Sequence, residues 1–577
     1  MQRNRGTTHR LRRLAAAVVC ATLVAASCGG DDDDDAASGP AATPASASDG
    51  DTTDAPDATV DEDGTAPATS ADGAAETPSS TAPAGAAGEL SDVTGEFDPN
   101  GTLRFGYTIG PSQGLDPHKT SLAQDTVWLA PIYEPLVIEM PDATLVPGLA
   151  TAWEFVDDNT VLELTLREGV TFHDGGAFDA DVVKANLERA KTIEGSAVAP
   201  LLAVVESVEV VDEYTVRLNL SGPAVTLPRI LADRPGMMIS PAGLEDPDLA
   251  NNPSGAGMYR VEEYRQGDRA VMTRFEDYWN PEWNLLGRLE IVQMGDSATR
   301  LNAVQSGELE LVLLDPTQFE AAKQTGRLDT QEFQTASVTY LQPNRTRAHM
   351  DDVRVRQALL HGIDREAIVD AVLLGYANAS PQWYGSAFEV GHIPELEDAY
   401  PYDPERAREL LAEAGLTDQV AIEFLVPTLP INEQIAQIAQ AQYAEIGVTV
   451  TFRPVEATQT ASTFYTDLIG DIVVGTTPGR TDPAMFMQLF FTEEAHSNPG
   501  KHTIPAVTEA YEAALEVLPD EEREPLLKDL MRVVVEEAGV INLFQGLTLL
   551  AGADERIGGF HWSLRGQPDF RGTGVYR

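Results

Sequence analysis

Apolar and polar residues alternate through "TLRFGYTI" (102–109), placing Leu103, Phe105, Tyr107 and Ile109 on one side of a predicted strand. "VLELTLREGVTFH" (161–173) reads as two strands across a Glu-Gly turn, and "VESVEVVDEYTVRLNL" (205–220) as a hairpin turning at Asp212 and Glu213. The period then changes. In "YDPERARELLAEAG" (402–415), Ala407, Leu410, Leu411 and Ala414 recur at helical spacing. Asp403 supplies a cap, Pro404 takes the first helical position, and Gly415 stops the run. Further helices are predicted over about 430–446, 505–518 and 521–537, with the strand "VTVTFRPV" after the first of them. Strands and helices intermix from near residue 100 to the end without an internal repeat. The expected class is therefore mixed α/β.

The first hundred residues follow another rule. Arg3, Arg5, Arg10, Arg12 and Arg13 precede an apolar run at 14–26. That run falls short of the ~20 residues that span a bilayer, so residues 1–27 read as an export signal. It closes on "VAASC", which resembles a bacterial lipobox with Cys28 as the lipidated first mature residue; Ala25 stands where that pattern favours leucine. Cys20 follows two valines rather than small residues. Those two are the only cysteines, so no disulfide or thiol chemistry is expected beyond the signal region. Residues 28–98 are dominated by Asp, Ala, Ser, Thr and Pro, with too little apolar surface to offset the entropy of ordering. They read as a disordered tether, and "DDDDD" reads as a self-repelling spacer.

With 91 acidic against 39 basic residues the formal net charge is −52, which excludes nucleic acid and anionic headgroups as partners. The 577 residues call for more than one domain. Three short stretches suggest chemistry. "FHDGGAFDAD" (172–181) offers a histidine and three aspartates, but each aspartate has a turn or cap position. His173 has no second histidine at helical spacing, so a metal is not expected. "GPSQG" (110–114) fits a serine nucleophile elbow at Ser112, yet Pro111 and Pro117 make loop where a helix must follow. "GAGMYR" carries Arg260 where a dinucleotide-binding turn needs a third glycine. No HExxH or phosphate loop occurs, so neither cofactor nor catalytic residue is expected. The competing readings are a serine hydrolase using Ser112 and a surface adhesion or structural lipoprotein.

Five ordered blocks carry a family resemblance. They are "LVPGLATAWEFVDDNT" with "LREGVTFHDGGAFDADVVKANLERA", "NPSGAGMYRVEEYRQGDRAVMTRFEDYWN", "DDVRVRQALLHGIDREAIVDAVLLGYA", "YDPERARELLAEAG" and "AQYAEIGVTVTF". Together they resemble the peptide/nickel-type solute-binding proteins of ABC importers, extracellular solute-binding family 5. The resemblance implies a non-enzymatic, two-lobed periplasmic-binding-protein-like clamp with an extra subdomain in the larger lobe. It places lobe I at 99–345, with a small subdomain at about 141–250, lobe II at 346–540, and a return to lobe I at 541–577. It implies hinge closure on a small solute and delivery to ABC permease subunits, by a monomer anchored to the outer face of the cytoplasmic membrane. The family's solutes range from peptides to nickel-type ligands and oligosaccharides. Its peptide binders carry a "D-x-x-DP" segment whose first aspartate holds an ammonium. Here "TTPGRTDP" keeps Asp482 and Pro483 but has Gly479 at the first position. Arg480 beside it suits a ligand carboxylate, and the glycine is expected to let ligand reach the backbone. Asn344, Trp383, Tyr384 and Ser112 complete the expected ligand-binding set.

Overall fold

The computed structural model describes residues 96–577, apart from 121, 389, 418–419, 494 and 553–555. The expected signal segment, Cys28 and nearly all of the expected tether lie outside the described residues.

One sheet of eleven strands organises the fold. From one edge its order is Val448–Val455, Val420–Pro427, Ile472–Thr477, Asp329–Pro343, Ile541–Gly552, Leu311–Leu313, Thr102–Tyr107, Arg288–Gln293, Arg269–Arg274 and Tyr259–Arg265. Ala377–Ala379 adds to the flank of Ile541–Gly552. At its centre Asp329–Pro343 and Ile541–Gly552 form a long antiparallel ribbon that crosses from one wing to the other. Its ladder is irregular at two places, a smaller shift between Thr339 and Tyr340 and a larger one before it. Gln334 faces Leu547 and Val338 faces Gln545, so Thr335, Ala336 and Ser337 stand opposite Gly546 alone.

Each wing has its own core. Leu103, Phe105, Leu289, Ile291, Phe560 and Trp562 fill one; Leu359, Ile422, Phe424, Tyr443, Ile472 and Val474 fill the other. The protein is thus a two-lobed α/β fold. A separate antiparallel sheet, in the order Ala150–Val156, Val161–Leu166, Thr215–Leu220, Val205–Asp212, packs with the helix Ala180–Thr192 around a third core containing Leu162, Leu164, Val183 and Leu187.

Local signals explain most elements. The helix Pro404–Glu413 begins where the Asp403 carboxylate accepts the amides of Glu405 and Arg406, and the chain leaves it at Gly415 with a φ of 81°. The strand Val448–Val455 and the helices Pro430–Glu445 and Asp520–Glu536 lie close to their expected places. Three details differ. Ile109 falls beyond the strand Thr102–Tyr107 and is exposed, because Gly110 and Pro111 end the alternation. The helix Pro505–Ala514 stops short of 518, its last turn closed by the Leu515 amide on the Tyr511 and Glu512 carbonyls. The second strand expected near 170–173 shrinks to a single bridge, Thr171 to Ala177, because Phe172 closes a turn onto the Gly176 carbonyl.

Candidate functional site

The "FHDGGAFDAD" stretch is structural throughout. Gly176 donates to Asp174 at 2.9 Å, closing the turn, and Asp179 caps the helix Ala180–Thr192 by accepting from Val182 at 3.0 Å. His173 is buried, with Nε2 3.0 Å from the Gly257 carbonyl and its ring edge-on to Phe275. Burial pushes its pKa down to about 4, and the neighbouring Arg260 acts in the same direction. The glycines of "GAGMYR" have a packing reason: Gly255 and Gly257 abut the Ile132 carbonyl and leave no room for a side chain. Among the described residues no group of three or more His, Cys, Asp or Glu side chains is placed to hold a metal ion.

Ser112 is not on an elbow. It opens the short strand Ser112–Leu115, and its hydroxyl donates to Asp125 at 2.6 Å while its amide donates to the same carboxylate at 2.9 Å. This arrangement fixes a loop; the group it meets is a carboxylate rather than a histidine base.

The loop 478–482 joins the strand Ile472–Thr477 to the helix Pro483–Phe490. Asp482 starts that helix by accepting from Ala484 at 2.9 Å. The same carboxylate takes two bonds from Arg523, at 2.7 and 3.1 Å, in a buried pair. Asp482 is therefore committed to fixing the loop. Tyr384 donates to the Arg480 carbonyl at 2.9 Å from behind. Trp383 packs with Phe486 and Phe490 at ring separations of 4.7 and 5.0 Å. Both aromatics are almost fully buried and form the floor beneath the loop. Asn344 sits at the other end of Ile472–Thr477. It is fully buried, accepts from Thr346 Oγ1 at 2.6 Å, and its backbone amide donates to the Asp471 carbonyl. The structure thus gathers Arg480, Asp482, Trp383 and Tyr384 around one loop, with Asn344 and Ser112 elsewhere.

Gly479 serves a purpose other than the expected one. A Cβ there would lie 2.9 Å from the Ala336 Cβ, so the glycine lets the loop approach the crossing strand rather than admit ligand. An aspartate at this position has no space.

Arg480 and Thr481 face a charged cluster that sequence reasoning missed. Thr481 Oγ1 donates to Glu139 at 2.9 Å and accepts from Arg229 at 3.1 Å, and Arg229 pairs with Glu139 at 2.9 Å. Arg565 pairs with Asp233 at 2.5 Å, and Arg234 Nε stands 3.7 Å from the same carboxylate. Burial would raise the pKa of Asp233, but Arg565 and Arg234 more than offset it and hold the carboxyl well below its usual range. The cluster sets four arginines, 229, 234, 480 and 565, against the two acids Glu139 and Asp233. Arg480 is the one of the four without a salt bridge to a carboxylate among the described residues. Its pKa is pushed down by burial and by the neighbouring Arg565 and Arg234, with only partial relief from Asp233. All of these side chains except Arg234 line a cavity with room for roughly one water molecule. Nothing local in the sequence marks the cluster, since Arg565 reaches Asp233 across 332 positions.

Comparison with known proteins gives a consistent picture. A family model described as bacterial extracellular solute-binding proteins, family 5 Middle, matches residues 144–498. The glutathione-binding protein GsiB of Salmonella paratyphi A is 30% identical over 361 residues, covering 60% of this chain and 68% of that protein. Among solved structures, HbpA2 from Haemophilus parasuis superposes with a TM-score of 0.72 at 23% identity, covering 82% of this chain and 99% of that one. NikA from Brucella suis in complex with Fe(III)-EDTA gives 0.70 at 25% identity, covering 82% and 100%. Among the described residues no helix is long and apolar enough to cross a membrane.

Proposed function

The chain belongs to the bacterial extracellular solute-binding proteins of family 5, and from that premise we propose that it is the extracytoplasmic binding component of an ABC importer, capturing a small peptide-like solute through an anionic group. The observation that carries the anionic reading is Arg480. A largely desolvated guanidinium crowded by other arginines, with no carboxylate of its own, is costly to keep charged; a ligand carboxylate removes that cost with charge-assisted hydrogen bonds.

In this reading the lobes divide at the crossing ribbon, with lobe I at about 99–345 and 541–577 and lobe II at about 346–540. Arg480 and Thr481 come from one side of the cleft, and Glu139, Asp233, Arg229 and Arg565 from the other. Closure brings them together, and the closed form engages the permease. The export signal at 1–27 and lipidation of Cys28 tether the protein to the outer face of the cytoplasmic membrane. The deciding experiment begins with native mass spectrometry of protein purified from its own host, which names the retained solute. Calorimetry with that solute then compares wild type with Arg480→Ala. A lost charge-assisted contact of ~1.5–3 kcal/mol weakens binding about ten- to a hundredfold, while the melting temperature of the empty protein stays nearly unchanged. A variant that melts markedly lower yet binds normally per folded molecule makes Arg480 a structural residue and refutes the anionic reading.

A further inference from the structure

We infer that the solute is a single-ended anion with an apolar body, and that the body occupies a second cavity beside the arginine cluster; this rests on the anionic reading of Arg480. The cavity at the cluster holds roughly one water, enough for a head group and no more. It shares Arg229 and Thr481 with a neighbouring cavity of about 820 Å³. That size lies within the roughly 300–1,000 Å³ that encloses a whole ligand of drug size. A further cavity, of about 90 Å³, shares Glu139 and Arg565 with the cluster, so of the two neighbours the larger is the one with room for a whole solute body.

The walls of the larger cavity define what it accepts. Trp153, Phe155 and Val225 come from one side, and Val517 and Leu518 from the turn before the helix Asp520–Glu536 on the other. All five are partly exposed and present apolar surface. Two arginines reach this cavity, and both are engaged already: Arg229 by Glu139 and Arg523 by Asp482. Glu154 and Asp520 also line it and are exposed, so a second anionic group on the solute would meet repulsion rather than a partner. The anionic charge belongs at the arginine end, and the body toward Trp153 is apolar and neutral or cationic.

The test uses full-length protein, calorimetry and three peptides. Tetraglycine and Leu-Trp-Leu-Gly carry the same charges and differ only in body; the C-terminal amide of Leu-Trp-Leu-Gly lacks the anionic head. The expected result is that Leu-Trp-Leu-Gly binds at least tenfold more tightly than tetraglycine, and at least tenfold more tightly than its own amide. Val225→Trp, which fills the larger cavity from one wall, should abolish the advantage over tetraglycine. Leu518→Trp fills the cavity from the opposite wall and serves if the first variant does not fold. Equal affinity for the two free peptides, with the amide still weaker, overturns the apolar-body inference and leaves the Arg480 reading standing. An apolar preference that ignores the amide overturns the anionic reading and the single-ended anion with it. Absence of binding by all three peptides overturns both.

Discussion

His173 gives a stability prediction whose size follows from its surroundings. The imidazole is buried between the Gly257 carbonyl and the Phe275 ring, with a pKa pushed down to about 4 against 6.5 when free. The folded chain keeps the ring neutral while the unfolded chain protonates it near 6.5. Stability therefore falls as pH drops from about 6.5 toward 4, and is fully present above that window. A fall of that size corresponds to about 3 kcal/mol over the window, with a slope that approaches about 1.4 kcal/mol per pH unit at its steepest. Other buried groups blur the total curve. His118, pushed down to about 3 by burial and Arg189, adds a slope of the same sign. Glu134, pushed up to about 7 by burial despite Arg571 and Tyr278, takes up its proton in the folded state first and contributes the opposite sign. The informative quantity is thus a difference between two proteins. His173→Gln keeps an N–H for the Gly257 carbonyl and removes the titration. Urea denaturation at pH 7, 6 and 5 should show wild type losing about 1 kcal/mol more than the variant between 6 and 5. Parallel curves, or an NMR titration of His173 centred near 6.5, would refute the reasoning.

Three further outcomes are expected. Arg523→Met leaves Asp482 buried and uncompensated and should lower unfolding free energy by about 3–5 kcal/mol in urea, with much of it recovered on adding Asp482→Asn. Asp179→Ala removes the cap on Ala180–Thr192 and should cost about 1 kcal/mol by the same measurement. Cys28→Ser should release the protein from membranes or leave it unprocessed, whereas an intact mass showing unmodified Cys28 in the wild-type protein ends the lipid-anchor proposal.

What the sequence disclosed depended on distance along the chain. Asp403, Pro404 and Gly415 stand at the two ends of one short helix, so that helix was legible. So were the turn and cap roles of Asp174 and Asp179. The candidate site was legible at 479–482, where a family motif ran through it, and at Trp383 and Tyr384 beneath that loop. The partners Glu139, Arg229, Asp233 and Arg565 converge from separate segments and follow no periodicity. Gly479 shows the limit most clearly. A glycine beside an arginine suggests room for ligand, but which neighbour needs that room depends on the crossing strand, and here it is Ala336.

That contact gives the larger irregularity in the crossing ribbon a mechanical meaning. Three residues opposite one leave the ladder slack at 335–337, and Gly479 rests against the middle one. The loop that carries Arg480 therefore touches the ribbon at that irregular stretch, which would be the fulcrum of the proposed closure. The outermost strand, Val448–Val455, lies three strand spacings away, about 14 Å. Each degree of rotation about the ribbon moves that strand by about a quarter of an ångström, given that spacing. In the proposed closure, a load on the Arg480 loop would act on a very short lever arm, and a displacement too small to break a single ladder hydrogen bond would be magnified toward the edge of the wing.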